Sequence, residues 1–64
     1  MEKLLYTNII VNRNDHIYEK VAFNKCQIEY LKRGDNSSES IICVNGKEYT
    51  ILTPFNDLKI EMNN

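Results

Sequence analysis

The dipeptide Asn45-Gly46 stands between two apolar, β-branched runs, Ser40 to Val44 and Lys47 to Leu52. A type I′ turn needs positive φ at both central residues. Asn tolerates this and Gly adopts it freely, so the pair predicts a two-residue β-hairpin. Such a turn sets Val44 against Lys47, Ile42 against Tyr49 and Ser40 against Ile51. Strand side chains alternate, so Ile42, Val44, Tyr49 and Ile51 share one face and are the expected core. The opposite face carries Ile41, Cys43, Glu48, Thr50 and Leu52. It is mixed rather than polar, which asks for partial cover by another element or by a partner.

The same punctuation runs through the rest of the chain. Leu4 to Val11 is a β-branched run closed by four turn-formers, Asn12-Arg13-Asn14-Asp15, which predict a reversal. His16 to Phe23 follows as a strand with Ile17, Val21 and Phe23 on one face and Glu19 as the exception. Asn24-Lys25 is placed to break or bulge the chain. Cys26 to Lys32 resumes it, with Ile28 and Tyr30 on one face and Glu29 and Leu31 on the other. Gly34 to Glu39 is a polar, flexible loop without an apolar anchor. Thr53-Pro54 is a helix start, with Thr as cap and Pro in the first helical position. Leu58 to Met62 alternates strictly, which favours a strand after one helical turn at 54–57. The rival is a single helix over 54–62. Asn63-Asn64 are expected to fray. These elements predict one mainly β domain spanning residues 1–64, a small antiparallel sheet or partly open barrel of about six short strands with one short helical turn. An open, curved sheet that dimerises through an exposed edge is the alternative.

Size and charge exclude several classes of function. Sixty-four residues lie near the lower limit for independent folding, so stability gained from a partner or from self-association is expected. There is no room for a lobed enzyme with a deep cleft. Eight Lys and Arg stand against nine Asp and Glu and are dispersed; only Lys32-Arg33 are adjacent basic residues. Nucleic-acid binders usually carry a basic footprint, because phosphate contacts dominate their affinity. The start of the chain lacks the charged and apolar regions of a signal peptide, and no apolar stretch approaches the ~20 residues of a membrane helix. The expectation is a cytoplasmic protein without membrane association, its two cysteines free and buried. The abundance of Asn, Ile and Lys suggests a phage or low-GC bacterial source.

Candidate chemistry is sparse. His16, the single histidine, sits beside Asp15 at a turn, where an exposed polar residue is the simplest reading. A zinc site would need Cys26 and Cys43 to converge on it from separate strands, and a Cys nucleophile would need the same convergence. Ser37, Ser38 and Ser40 read as loop and strand-start residues. Gly34 and Gly46 are too far apart for a phosphate-binding loop. No enzymatic activity, metal or cofactor is expected. The tyrosines Tyr6, Tyr18, Tyr30 and Tyr49 suit either half-buried sheet positions, a base-stacking platform or anchors in a protein interface.

One family pattern is present. Val21-Ala22-Phe23, Ile28-Glu29-Tyr30-Leu31-Lys32, Asp35-Asn36-Ser37, Ile41, Val44-Asn45-Gly46-Lys47-Glu48-Tyr49 and Leu58 together resemble the first half of a LytTR-type DNA-binding domain. That resemblance covers residues 21–58 and implies a β-unit with a nucleic-acid partner in transcription regulation, with Asn36 as the loop residue carried over. From the residues themselves, the reading is a non-enzymatic small binding protein acting through protein–protein interaction, as a regulator or inhibitor, with homodimerisation as a further expectation. The interaction residues expected are Tyr18, Tyr30, Lys32, Arg33 and Asn36. The alternative is a nucleic-acid-binding β module of LytTR-like or OB-like type.

Overall fold

A computed structural model describes residues 3–63 of the chain. Its strands are β1 (Leu4–Asn12), β2 (Ile17–Asn24), β3 (Ile28–Arg33), β4 (Ser40–Val44) and β5 (Lys47–Ile51). A 3-10 turn spans Lys25–Gln27, and one helix, α1, spans Phe55–Met62. The strands form one antiparallel sheet in the order β2-β1-β5-β4-β3. It is built from a β1–β2 hairpin and a β3–β4–β5 meander.

The connection between β2 and β3 curls this sheet. These strands are its two edges, yet only Lys25–Gln27 separate them in sequence. In a flat sheet the edges would lie four strand spacings apart, about 19 Å. The four Cα steps from Asn24 to Ile28 reach at most about 14 Å when fully extended, and less in 3-10 geometry. The edges therefore converge at this corner. Asn24 holds it by accepting a hydrogen bond from the Cys26 N–H at 2.9 Å, and Lys25 Nζ donates to the Glu61 carbonyl at 2.7 Å.

The hairpin at Asn45-Gly46 forms with the expected register, Val44 opposite Lys47, Ile42 opposite Tyr49 and Ser40 opposite Ile51. Asn45 and Gly46 both take positive φ, 54° and 80°. Ile42, Val44 and Ile51 are buried with Leu5 and Leu58, and Tyr49 packs against this cluster with its ring 5.2 Å from that of Phe23. On the opposite face Cys43 is buried while Ile41, Thr50 and Leu52 are half-buried.

Several expectations are corrected. The mainly β antiparallel sheet forms as expected, with five strands where about six were anticipated, because residues 58–62 belong to α1. A strand there would place Leu58, Ile60 and Met62 on one face. The helix instead turns Leu58 and Met62 toward the core and leaves Ile60 62 % exposed. Pro54 occupies the N-cap position rather than the first helical one, and Thr53 does not cap: its hydroxyl meets that of Thr7 at 2.7 Å. Ile28 and Tyr30 do not share a face. Glu29 is an extra residue in a β-bulge, so Ile28 and Leu31 both pack on the core while Tyr30 points out. Cys26 lies in the 3-10 turn and is exposed, not buried; both cysteines are free. β2 starts at Ile17, since His16 ends the turn with φ of 55°. Asn64, expected to fray, lies outside the described residues.

The loop from Gly34 to Glu39 is pinned, though by polar contacts. Asn36 Oδ1 accepts from both the N–H and the hydroxyl of Ser38 at 3.0 Å, and the Gly34 N–H donates to the Glu39 carbonyl at 3.1 Å. Glu39 is itself buried and receives both terminal nitrogens of Arg13, at 2.7 and 2.9 Å.

Candidate interaction surface

Strand alternation sorts the expected interaction residues onto different surfaces. Tyr30 stands opposite Cys43, which stands opposite Glu48, so the three form one row across β3, β4 and β5 on the side away from the core. Lys32 occupies the next row with Ile41 and Thr50. The Tyr30 hydroxyl donates to the Glu48 carboxylate, Lys32 Nζ meets the same carboxylate at 2.7 Å, and the ammonium lies 5.5 Å from the Tyr30 ring centroid. Tyr30 and Lys32 are thus brought together as the flanks of one acidic group.

The electrostatics of this trio follow from its hydrogen bonds. Lys32, and after it Tyr30, holds the Glu48 carboxyl below the usual carboxylate range. In return Glu48, with a smaller part from Cys43, raises the Tyr30 phenol well above its ordinary value. The buried Cys43 thiol also reaches Glu29 Oε1 at 3.3 Å. Lys32 is neutralised within the chain, so this surface presents a half-exposed aromatic ring rather than a free cation.

Arg33 goes elsewhere. Adjacent residues in a strand face opposite sides, and Arg33 stacks its guanidinium 4.8 Å from the Phe55 ring at the start of α1. The adjacent basic pair in sequence is therefore split in space. Arg33 and Asn36 line a common hollow of about 400 Å³ with Phe55, Asp35 and Glu39. Tyr18 belongs to neither group: it lies on the edge strand β2, opposite Ile10 and 47 % exposed. Among the described residues, no group of three or more His, Cys, Asp or Glu gathers as a metal site would. His16 caps its turn, with its N–H donating to the Arg13 carbonyl at 3.3 Å.

The sequence reading missed a distribution of apolar surface. The large hydrophobic side chains that remain exposed among the described residues are Leu4, Tyr6, Val11, Ile17 and Tyr18 on the β1–β2 hairpin, Tyr30 on β3 and Ile60 on α1. Five of these seven belong to one hairpin. Val11 is exposed because it is the extra residue of a bulge between Ile10 and Asn12, which displaces it from the ladder. The signal was partly present: a β-branched run as continuous as Leu4 to Val11 has more apolar residues than one buried face can take.

No family model matches the chain, and neither a curated protein nor a solved structure does so.

Proposed function

We propose that this chain is a non-enzymatic binding module that acts through a protein partner, as a regulator or inhibitor. The observation that carries this reading is the concentration of exposed apolar side chains on the β1–β2 hairpin. They fall at its two ends, Leu4 and Tyr6 beside Asn24 and Ala22, and Val11, Ile17 and Tyr18 beside the turn. Apolar exposure beyond scattered single residues marks an interaction surface. Tyrosine and aliphatic anchors with few charges between them are what protein interfaces use at their centres. The cations add support. Arg13, Lys25 and Lys32 each face a carboxylate of this chain, at 2.7, 4.0 and 2.7 Å, which leaves less positive charge to meet phosphate.

The test is capture from the native cell with mass spectrometry, with and without nuclease, using wild type and the Ile17→Ser/Tyr18→Ala double variant. Both residues are about half exposed, so the variant keeps its core. Capture that survives nuclease supports the reading, and its loss in the variant assigns the anchor to the turn end of the hairpin. The nucleic-acid module of LytTR-like or OB-like type predicts instead submicromolar binding of DNA or RNA. Its log affinity would fall with log salt at about −0.9 per phosphate neutralised on duplex. That binding, abolished by Lys32→Glu/Arg33→Glu, would overturn the protein-partner reading.

A further inference from the structure

Among the described residues, β5 meets β1 only from Asn8 onward. The ladder of β1 to β2 runs from Leu4 opposite Asn24 onward, whereas its contact with β5 is a single bridge, Ile9 opposite Ile51, followed by the Leu52 N–H donating to the Asn8 carbonyl at 2.9 Å. Among the described residues, no strand pairs with that edge ahead of Asn8. The direction of each backbone group follows from two bonds. The Lys25 N–H donates to the Lys3 carbonyl, so in this ladder Lys3, Leu5, Thr7 and Ile9 bond toward β2. The groups of Tyr6, like those of Asn8, then point the other way. No backbone hydrogen bond from that side reaches Tyr6 among the described residues.

What Tyr6 faces is a groove of about 680 Å³ between β1 and α1. Leu4, Tyr6 and Thr53 form one flank, Asp57, Ile60 and Glu61 the other, and buried Leu5 the floor. The Thr7–Thr53 hydroxyl contact ends the groove where β1 begins to meet β5. Tyr6 and Ile60 are the two most exposed large hydrophobic residues of the described chain, at 66 % and 62 %, and both line it. The charged residues lining it are acidic only. Glu61 approaches Lys25 at 4.0 Å, while Asp57 forms no ion pair among the described residues.

We infer that this groove takes an extended peptide segment of a partner protein, which adds as a short strand beside Tyr6 and carries alternating apolar and basic side chains. The inference deepens the protein-binding reading above and rests on it. The Tyr6 N–H and carbonyl supply the backbone pairing of strand addition, and side-chain pockets supply the choice of sequence. An apolar residue of the peptide lies between Tyr6 and Ile60. A lysine or arginine lies against Asp57 and Glu61, where a glutamate would be repelled. Strand addition suits this site because it needs an open edge and room for one further strand at about 4.8 Å spacing.

The probe is an acetylated, amidated peptide of alternating valine and lysine, about eight residues long, compared with its valine–glutamate counterpart. Amide exchange and chemical-shift mapping on the full chain should show protection of the Tyr6 N–H, and shifts confined to residues 4–6 and 53–61, with the lysine peptide alone. Ile60→Lys and Asp57→Lys, both at exposed helix positions, should each weaken binding by about tenfold. Tyr6→Pro removes the donor facing the groove without touching a bond to β2, and should do the same. Shifts mapping elsewhere, binding indifferent to Ile60→Lys and Asp57→Lys, or a dimer of this chain that Ile60→Lys dissolves would each overturn the assignment. Capture of a native partner that depends on Ile17 and Tyr18 but tolerates Ile60→Lys would refute the groove alone and leave the protein-binding reading standing.

Discussion

Arg13 and Glu39 join the two halves of the molecule across their loops. The guanidinium at the tip of the β1–β2 hairpin places Nη1 and Nη2 at 2.7 and 2.9 Å from the two carboxylate oxygens of a glutamate that is only 6 % exposed. A bidentate pair of this kind is directional as well as charged. It anchors the polar loop between β3 and β4 to a hairpin distant in sequence.

Acid should reveal this pair. The hydrogen bond from Arg13, aided by Asn36 and opposed by burial, holds the Glu39 carboxyl below its ordinary value of 4.5. A depressed carboxyl contributes stability that is present above its unfolded value and is lost as pH falls through the lower folded one. Midpoint temperature should therefore fall as pH drops below about 4.5. Arg13→Gln should lower it at neutral pH and flatten its acid dependence. Equal slopes in wild type and variant would show that Glu39 owes nothing to Arg13.

The two glycines should fail for different reasons. Gly46 has φ of +80° with open space around it, so Gly46→Val suffers backbone strain and should cost more than about 1 kcal/mol in denaturant unfolding. Gly34 is constrained by space: a Cβ there would sit 2.7 Å from the Glu39 carbonyl carbon and oxygen. Gly34→Ala should displace Glu39 and cost about 1–3 kcal/mol. A harmless change at either position contradicts the corresponding geometry.

The helix makes a sharp distinction between neighbours. Leu58 is fully buried and Ile60 largely exposed, so Leu58→Ala should cost about 2–5 kcal/mol. Ile60→Ser should stay within about 0.5 kcal/mol, as surface changes do. Were residues 58–62 a strand with one apolar face, the two losses would be comparable.

Thiol reactivity should divide in the same way. Cys26 is exposed on the 3-10 turn, while Cys43 is buried beside Glu29. Alkylation of the folded protein without reductant should add one group, at Cys26, and alkylation in denaturant should add a second. Mass measurement after peptide mapping checks both, and a denatured chain that takes up neither would mean a disulfide.

The local turn chemistry is legible in the sequence alone. Asn45-Gly46 specified its own φ values, and with them the register and the core face of β4 and β5. The Asn12–Asp15 cluster marked its reversal for similar reasons: Asp15 N–H donates to Asn12 Oδ1 at 3.1 Å, a contact written in adjacent side chains. Residues 58–62 misled because alternation of Leu58, Ile60 and Met62 satisfies a strand pattern while a helix needs only Leu58 and Met62 inside. Glu29 misled because a bulge changes the face of every later residue in its strand, and one glutamate among apolar neighbours does not announce it. The interaction surface was least legible. Tyr18, Tyr30 and Lys32 stand out by residue type, but the groove at Tyr6 depends on how short a stretch of β1 is met by β5.

The single bridge between Ile9 and Ile51 has a kinetic meaning. Both the β1–β2 hairpin and the β3–β4–β5 meander are closed by short turns, so each gains its contacts from residues near in sequence. Bringing β1 to β5 joins Ile9 to Ile51 across about two thirds of the chain and is rewarded by few ladder bonds. Short sequence separation favours each unit forming before the two join, and the β1–β5 seam keeps the least backbone pairing in the sheet.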